Sequence, residues 1–258
     1  MWGKNKLKEI LEESKLAVGS CIYSNSPALV ELMGYCGLDF CRIDNEHSWR
    51  KDESAENMVR AAVISGIIPL LRVDHDKDVI RKALEIGAGG LIIPHINTPE
   101  EVEAVVRAAK FPPKGDRGIG SLSFSGRWGT MKAADYIMWS DEEQLVGVMI
   151  EDIRAMDRID EIVAVEGLDF VLFGPSDFSV SIGRPGEGSH PKVMEALGET
   201  IKAADRQGKW VCKGVSYPWV ENARKFVEMG CHMIEMGHDA TILRTIWSTK
   251  GEEIRKLR

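Results

Sequence analysis

The sequence has no long apolar run, few cysteines and no basic patch. No stretch reaches the roughly 18 to 20 apolar residues that a membrane-spanning helix needs. The five cysteines are scattered among apolar residues without CxxC spacing: Cys21, Cys36, Cys41, Cys212 and Cys231. This pattern indicates small core residues in a reducing cytoplasm, and it argues against zinc or redox use.

The charge balance also excludes whole classes of partner. The 258 residues carry a net charge of −7, with positive and negative side chains interspersed. A nucleic-acid or anionic-membrane partner requires a clustered basic face, so neither is expected. The N-terminal stretch MWGKNKLKEILEESK is expected to form a charged amphipathic helix rather than a signal peptide. We therefore expect a cytoplasmic protein.

Short β-rich apolar runs alternate with amphipathic helical patterns along the chain. The expected strands are 16–23, 39–44, 67–73, 89–96, 145–151, 169–175, 210–216 and 232–237. These runs are apolar throughout, which is typical of parallel strands covered on both faces. Several intervening helices open on a capping Ser, Thr or Asp and close on glycine. Eight such units predict one α/β domain over residues 1–258, a single (β/α)₈ TIM barrel with an added N-terminal helix.

One region, 111–144, is irregular and rich in Gly, Pro and Ser. It lies between the fourth barrel helix and the fifth strand, which places it at the N-terminal face of the barrel. Long insertions in compact domains are usually functional or interfacial. Its GDRGIG stretch follows no strand and opens no helix, so it is not interpreted as a phosphate-binding loop.

Polar residues follow several of the predicted strands, at the end of the barrel where catalytic groups of this fold lie. Glu151 follows the fifth strand and Asp177 the sixth, so both carboxylates are expected to converge at the mouth. Two carboxylates, completed by water and substrate oxygens, are a typical site for Mg²⁺ or Mn²⁺. The alternative is a pair of helix caps or loop ion pairs, which we prefer for Asp152.

Other strand ends carry an arginine and histidines. Arg72 is a permanent cation that binds carboxylates well, and it could equally pair with Asp44 or Glu46. His47 is a candidate acid or base, although a lone loop histidine is as often a bystander. His95 and His238 also follow strands, but the sequence does not say whether they line the mouth.

These residues stand in motifs that are specific in combination. The motifs are FCRIDNEHS, PLLRV, ALEIGAGGLIIPHINTPEEVEAVVRAAKFPPKGDRGIG, MIED, VEGLDFVLFGPSDFSVSIGRPG and MGHDATIL. From about Gly19 to Leu243 the chain resembles the hydroxy-oxo-heptanedioate and dehydro-deoxy-glucarate aldolases, metal-dependent lyases of carbohydrate or aromatic acid catabolism. The resemblance implies a homo-oligomeric (β/α)₈ barrel, a hexamer built as a trimer of dimers with exchanged C-terminal helices.

The resemblance also implies roles for the strand-end residues. Glu151 and Asp177 match the metal pair of the family, which would hold Mg²⁺, Mn²⁺ or Co²⁺. Arg72 matches the arginine that binds pyruvate, and His47 matches the acid/base histidine. Asp44 matches the acid ahead of that histidine.

Further positions match less closely. Glu85 falls where the family has an aspartate paired with the histidine, and the backbone N–H groups of Gly174 and Ser176 would hold the pyruvate carboxylate. Met149 replaces a glutamine that helps hold the pyruvate oxygens, and Asn45 replaces a glycine. Both departures bear on substrate binding.

Lys213, at the end of the seventh strand, stands where the family tends to be apolar. Its side chain could contact an acidic acceptor or reach solvent, and we favour solvent.

The implied reaction is reversible cleavage of a 4-hydroxy-2-oxo acid to pyruvate, or a close 2-oxo acid, and an aldehyde. The metal and Arg72 would stabilise the enolate charge, and His47 would take the hydroxyl proton. Three alternatives stay open. They are another lyase or mutase of the phosphoenolpyruvate/pyruvate barrel superfamily, a Schiff-base aldolase using Lys213, and a non-catalytic barrel that only binds a 2-oxo acid.

Overall fold

Eight parallel strands close into a barrel, each paired with the next and the last with the first. The computed structural model describes residues 3–48 and 53–257, so Met1 and Trp2 of the expected N-terminal helix lie outside the described residues. The strands are β1 (Ala17–Ile22), β2 (Phe40–Asp44), β3 (Ile68–Arg72), β4 (Gly90–Ile93), β5 (Leu145–Ile150), β6 (Phe170–Phe173), β7 (Trp210–Gly214) and β8 (Met233–His238). Each matches an expected run to within a residue at its ends or lies inside it. The predicted (β/α)₈ barrel is confirmed.

Helices surround the barrel and close its N-terminal end. The described α-helices are α1 (Lys6–Glu12), α2 (Pro27–Tyr35), α3 (Glu53–Ser65), α4 (Lys77–Glu85), α5 (Pro99–Ala109), α6 (Ala133–Glu143), α7 (Ile159–Ala164), α8 (Pro175–Ser181), α9 (Pro191–Arg206), α10 (Trp219–Glu228) and α11 (Asp239–Arg255). Within the described part of the chain, no helix combines the length and apolarity needed to cross a membrane.

Two of these helices were not expected. Helix α6 lies inside the irregular region, where Tyr136 and Ser140, four residues apart, are buried on one face. Helix α8 starts directly after β6, and Pro175 at its first position favours a helix start. This short helix determines where Ser176 and Asp177 lie.

Successive strand residues face opposite sides of the sheet and so build two apolar layers. The lumen layer contains, among others, Phe40, Leu70, Met149, Phe170, Leu172, Cys212 and Met233. The layer between the strands and the helices contains Ile43, Leu71, Val148, Val171, Phe173, Val211 and Ile234. Four of the five free cysteines are buried, as expected for core residues, and Cys36 is exposed.

The N-terminal end of the barrel is closed by α1 and the 111–144 region, as its chain position predicted. The buried Asn5 side chain donates to the carbonyls of Gly89 and Glu143, at 2.8 Å each. Arg117 donates to the Ser140 and Tyr136 hydroxyls, also at 2.8 Å each. The opposite end, where the strands finish, stays open.

A substitution at Gly147 in β5 tests how tightly the lumen is packed. A Cβ atom at this position would lie 2.2 Å from Cζ of Phe170 on the next strand. Gly147→Ala should therefore lower the free energy of unfolding by about 1–3 kcal/mol, measured by urea denaturation, because overpacking displaces the ring. Gly118→Ala is the control, since nothing lies within 4 Å of its added Cβ. Equal stability of the two variants would contradict this description of the lumen.

Candidate active site

The open end of the barrel holds a chain of charged contacts that begins in the lumen. Glu235 of β8 binds Arg42 of β2 through two contacts, Nε to Oε2 and Nη2 to Oε1, both 2.7 Å long. Both side chains are buried. Arg42 Nη1 also lies 3.3 Å from Oδ2 of Asp44, two residues further along the same strand. The lumen pair thereby supports the residues at the mouth.

Asp44 is fully buried at the end of β2 and organises the loop that follows it. Its Oδ1 accepts the backbone N–H groups of Glu46 and His47, at 3.0 Å each, and its Oδ2 binds Nη2 of Arg72. Burial by itself would raise the pKa of Asp44, but the Arg72 charge and the His47 N–H more than reverse this and lower it. The ion pair considered for Arg72 is therefore present, and Asp44 is ionised.

Arg72 is held on three sides. Nη2 binds Asp44, and Nη1 lies 2.7 Å from Oε2 of Glu46 and 3.7 Å from Sδ of Met149. The Nε–H group is buried and has no hydrogen-bond partner among the described residues. A fixed guanidinium with one unused donor is suited to binding a ligand oxygen.

His95 connects this group to the next strand, a role that the sequence did not reveal. Its Nε2 lies 2.7 Å from Oε1 of Glu46 and its Nδ1 lies 3.1 Å from Oε1 of Glu151. Its backbone N–H donates to the same Glu151 oxygen at 2.8 Å. The φ of His95 is +60°, unusual for a residue with a side chain. The polar residue at a strand end was the only signal for it in the sequence.

Glu151 is buried at the end of β5, and no lysine or arginine pairs with it among residues 3–48 and 53–257. Burial raises its pKa, and the nearby charges of Asp177 and Glu46 add to the rise against the effect of His95. Asp177 is exposed in the first turn of α8. Excess negative charge on carboxylate oxygens fits a hard divalent cation. Asp152 instead accepts from Arg154 N at 2.9 Å, so the capping interpretation is confirmed.

A second cluster that the sequence did not predict lies beside the lumen pair. One potential ligand atom each from Cys21, Glu235 and His238 lie within 4.8 Å of one another. Glu235 already binds Arg42 through both oxygens, and burial raises the pKa of the Cys21 thiol well above its ordinary value. A cation here would have to displace a guanidinium, so this cluster fits a metal less well than Glu151 and Asp177.

Some of these charged groups, namely Arg42, Arg72, Asp177 and Glu235, line a cavity of about 640 Å³ at the barrel mouth. It is lined by residues that include His47, Arg72, Met149, Gly174, Ser176, Asp177 and Lys213. A Cβ on Gly174 would lie 2.9 Å from Oε2 of Glu151, so the glycine keeps space beside that carboxylate. The Gly174 N–H, however, donates to the Ile150 carbonyl at 2.9 Å. The expected pair of free N–H groups on Gly174 and Ser176 is therefore not formed, because the barrel uses the first.

Two expected residues lie elsewhere than the sequence indicated. Glu85 ends α4, at the N-terminal end of the barrel, where both oxygens lie 3.2 Å from Nη1 of Arg81. His47 lies at the opposite end, 3.9 Å from Glu46, so one chain does not bring it together with Glu85. Lys213 is only 4% exposed, and the interpretation that it reaches solvent is wrong. Its position in β7 directs the side chain beneath α10.

A (β/α)₈ barrel with two carboxylates, an arginine and histidines at its C-terminal mouth has the arrangement of a barrel enzyme. The family model described as HpcH/HpaI aldolase/citrate lyase matches residues 19–245. The chain belongs to this family and is a carbon–carbon lyase.

Individual relatives agree with this assignment. The chain is 31% identical to a hydroxypyruvate/pyruvate aldolase of Pseudomonas aeruginosa, over 93% of this chain and 88% of the relative. It is 30% identical to a 5-keto-4-deoxy-D-glucarate aldolase of Escherichia coli O6:H1, over 98% and 97%. The crystal structure of an HpcH/HpaI aldolase from Desulfitobacterium hafniense superposes with a TM-score of 0.92 at 31% identity, covering 98% of this chain and 97% of that one.

Asp44→Asn tests the buried network. Removing this charge leaves Arg72 and Arg42 with less compensation, and losing one partner of a buried pair costs about 3–5 kcal/mol. We expect a loss of that size in the free energy of unfolding, measured by urea denaturation. Asp152→Asn breaks an exposed pair with Arg154 and should cost about 0.5 kcal/mol or less.

The pH dependence follows from the lowered pKa of Asp44. A carboxyl whose pKa is lower in the folded state stabilises the fold above the unfolded value of about 4 and loses that effect as pH falls through the folded value. The stability difference between wild type and Asp44→Asn should shrink as pH falls below about 4. A stability difference between the two proteins that does not change with pH would contradict the lowered pKa of Asp44.

Proposed function

We propose that the protein is a divalent-metal-dependent aldolase that reversibly cleaves a 4-hydroxy-2-oxo acid to pyruvate and an aldehyde. The observation that carries the proposal is Glu151, a buried carboxylate without a lysine or arginine partner among the described residues. The negative charges of Asp177 and Glu46 act on it, and the unused Nε–H donor of Arg72 belongs to β3, one strand away from β5 on the same side of the barrel. Together these groups would accept a cation and the oxygens of a 2-oxo acid.

Glu151 and Asp177 would hold the ion, Mg²⁺, Mn²⁺ or Co²⁺, with oxygen ligands. When bound, the ion would supply positive charge where the 2-oxo acid gains negative charge on cleavage. His95, which now contacts Glu151 through both its ring and its N–H group, orients that carboxylate. Gly174 leaves the space that the ligand oxygens need.

Arg72 would bind the 2-oxo acid and neutralise part of its charge. Asp44 and Glu46 fix the guanidinium plane, so little conformational freedom is lost when a ligand binds. Met149 presents a thioether to Arg72 where the family has a glutamine. A thioether accepts hydrogen bonds weakly and donates none, so donor binding in this protein depends more on Arg72 than in relatives with the amide.

His47 would take the proton of the 4-hydroxyl group in cleavage and return it in addition. Its backbone is fixed by the N–H bond to Asp44, while its ring is half exposed at the cavity wall. A ring that reaches both cavity and solvent can exchange its proton between turnovers. The proton therefore leaves the substrate without passing through the buried network.

The metal site is tested with Glu151→Gln, which keeps the shape of the side chain and removes its charge. We expect Mn²⁺ affinity to fall by more than the roughly 10- to 100-fold that follows loss of a ligand-orienting residue. Retro-aldol activity, measured as pyruvate release, should disappear with it. Asp152→Asn is the matched control one residue away and should keep both. Full retro-aldol activity in a chelator-treated Glu151→Ala protein would refute the proposal.

The proton carrier is tested with His47→Asn. We expect pyruvate release to slow by about 10²- to 10⁴-fold, the usual contribution of a single proton-transfer group. Calorimetry should show unchanged Mn²⁺ binding, because His47 does not contact Glu151. The control is His190→Asn, which replaces the helix cap that accepts from Lys192 N at 3.2 Å. An unchanged rate in His47→Asn would assign the proton step to another group.

We also propose a homo-oligomer, a hexamer in the manner that the sequence resemblance implies. Helix α11 buries only Asp239, and its apolar residues Ile246, Trp247 and Ile254 are exposed by 41%, 69% and 67%. Exchange of this helix with a second copy would cover them. A dyad between His47 and Glu85 would then require Glu85 of a second subunit, since the two lie at opposite ends of one barrel.

The alternatives are separated by turnover. A barrel that only binds a 2-oxo acid would form no product from pyruvate, Mn²⁺ and a panel of short aldehydes. A Schiff-base aldolase would stay active in chelator. The position of Lys213 argues against the Schiff-base alternative, because its side chain faces α10 rather than the Arg72 and Glu151 side of the lumen.

A further inference from the structure

Lys213 is a buried cation on the outer face of the barrel wall. Its neighbours Val211 and Val215 belong to the layer between strands and helices, whereas Cys212 belongs to the lumen. Because side chains alternate along a strand, the Lys213 side chain points away from the lumen, as those of the two valines do. Its Nζ accordingly lies 4.9 Å from the ring centroid of Phe226 in α10.

The Lys213 ammonium lacks a counter-ion in the described parts of the chain. Its Nζ donates to the Gly214 carbonyl at 2.8 Å, and no described carboxylate lies within 4 Å. The negative charge of Glu235 acts on the Lys213 ammonium from a distance, but the Glu235 carboxylate itself is bound to Arg42. Burial lowers the pKa of Lys213 to about 8. An apolar side chain would fill this layer without that cost, so the fold alone does not account for a lysine.

The active-site cavity extends to this amine. Its lining includes Arg72 and Gly174 near the proposed metal pair, and also residues of β7 and α10, namely Lys213, Gly214, Trp219, Asn222 and Phe226. Helix α10 has no fully buried residue, although Trp219, Ala223 and Phe226 pack against the core between strands and helices. The lining residues of β7 and α10 offer one cation, one amide and two aromatic rings.

We propose that Lys213 determines substrate specificity by binding a carboxylate on the aldehyde part of the substrate. This inference rests on the proposed function. Arg72 and the Glu151–Asp177 pair occupy the β3 to β6 side of the mouth and would take the 2-oxo acid. The aldehyde part is then left to the β7 side of the mouth, where the Lys213 ammonium would bind a singly charged carboxylate.

The test compares two aldehydes of equal length, 4-oxobutanoate and its uncharged analogue 4-oxobutanamide, in aldol addition with pyruvate. Lys213→Met should lower kcat/KM for the acid by about 10- to 100-fold, the usual effect of losing a hydrogen bond to a charged group. For the amide, kcat/KM should change by less than about threefold, well within the effect of an uncharged contact. Lys213→Arg keeps the charge and should restore part of the preference for the acid.

The variant should fold, because removing a buried uncompensated charge raises rather than lowers Tm. An acid-to-amide ratio that is the same in wild type and Lys213→Met would overturn the inference and leave the aldolase standing. A Lys213 adduct trapped by borohydride with either aldehyde or with pyruvate would also overturn it, since the amine would then act covalently.

Binding without turnover separates this inference from the proposed function. Calorimetric titration with butanoate, an inert carboxylate, should show binding to wild type that weakens at least about tenfold in Lys213→Met, by the same loss of a charged hydrogen bond. Butanamide should not distinguish the two proteins. Lys213-dependent butanoate binding in a protein that converts no aldehyde would support the carboxylate site and refute the aldolase. Butanoate binding that is equal in both proteins would refute the site.

Discussion

The buried ion pair between Asp44 and Arg72 is the contact on which the mouth of this barrel depends. It joins the ends of two neighbouring strands, and each partner has a further task. Asp44 fixes the backbone of Glu46 and His47, and Arg72, which lines the cavity, has one buried N–H group without a hydrogen-bond partner among the described residues. Because both side chains are buried, neither charge could be left alone without a large penalty. This one interaction therefore positions the loop after β2, the His47 backbone and the Arg72 guanidinium.

The charged side chains are distributed unevenly among the strands at the mouth. Carboxylates, guanidinium groups and His95 are concentrated on the part of the mouth that runs from β8 through β2 to β5, where each group contacts the next from Glu235 to Glu151. On the other side, β6 and β7 each present a glycine near their ends, Gly174 and Gly214, and the cavity continues between them. The proposed function places the small charged 2-oxo acid on the first side and the aldehyde on the second.

The arrangement also shows two ways in which a buried charge is tolerated. At Glu151, His95 offsets part of the cost of burying the charge, because its backbone N–H donates to one carboxylate oxygen from a left-handed conformation that is unusual for a residue with a side chain. Lys213 has only a backbone carbonyl and an aromatic face. A bound ion of opposite sign would compensate either buried charge. Under the proposed function, both sites bind a ligand of opposite charge.

The sequence by itself determined the barrel, because eight apolar runs separated by capped helices allow few other folds, and it determined which residues end the strands. Glu151, Asp177, Arg72 and Asp44 were found in this way, since strand ends of a parallel barrel converge. Only the tertiary structure decided which way Lys213 points, because strands apolar on both faces carry no alternation to read. The same limit hid the contacts of His95 and the use of the Gly174 N–H within the barrel. The separation of Glu85 from His47 depends on which end of the barrel a helix end reaches, and that distance exists only once the barrel has closed.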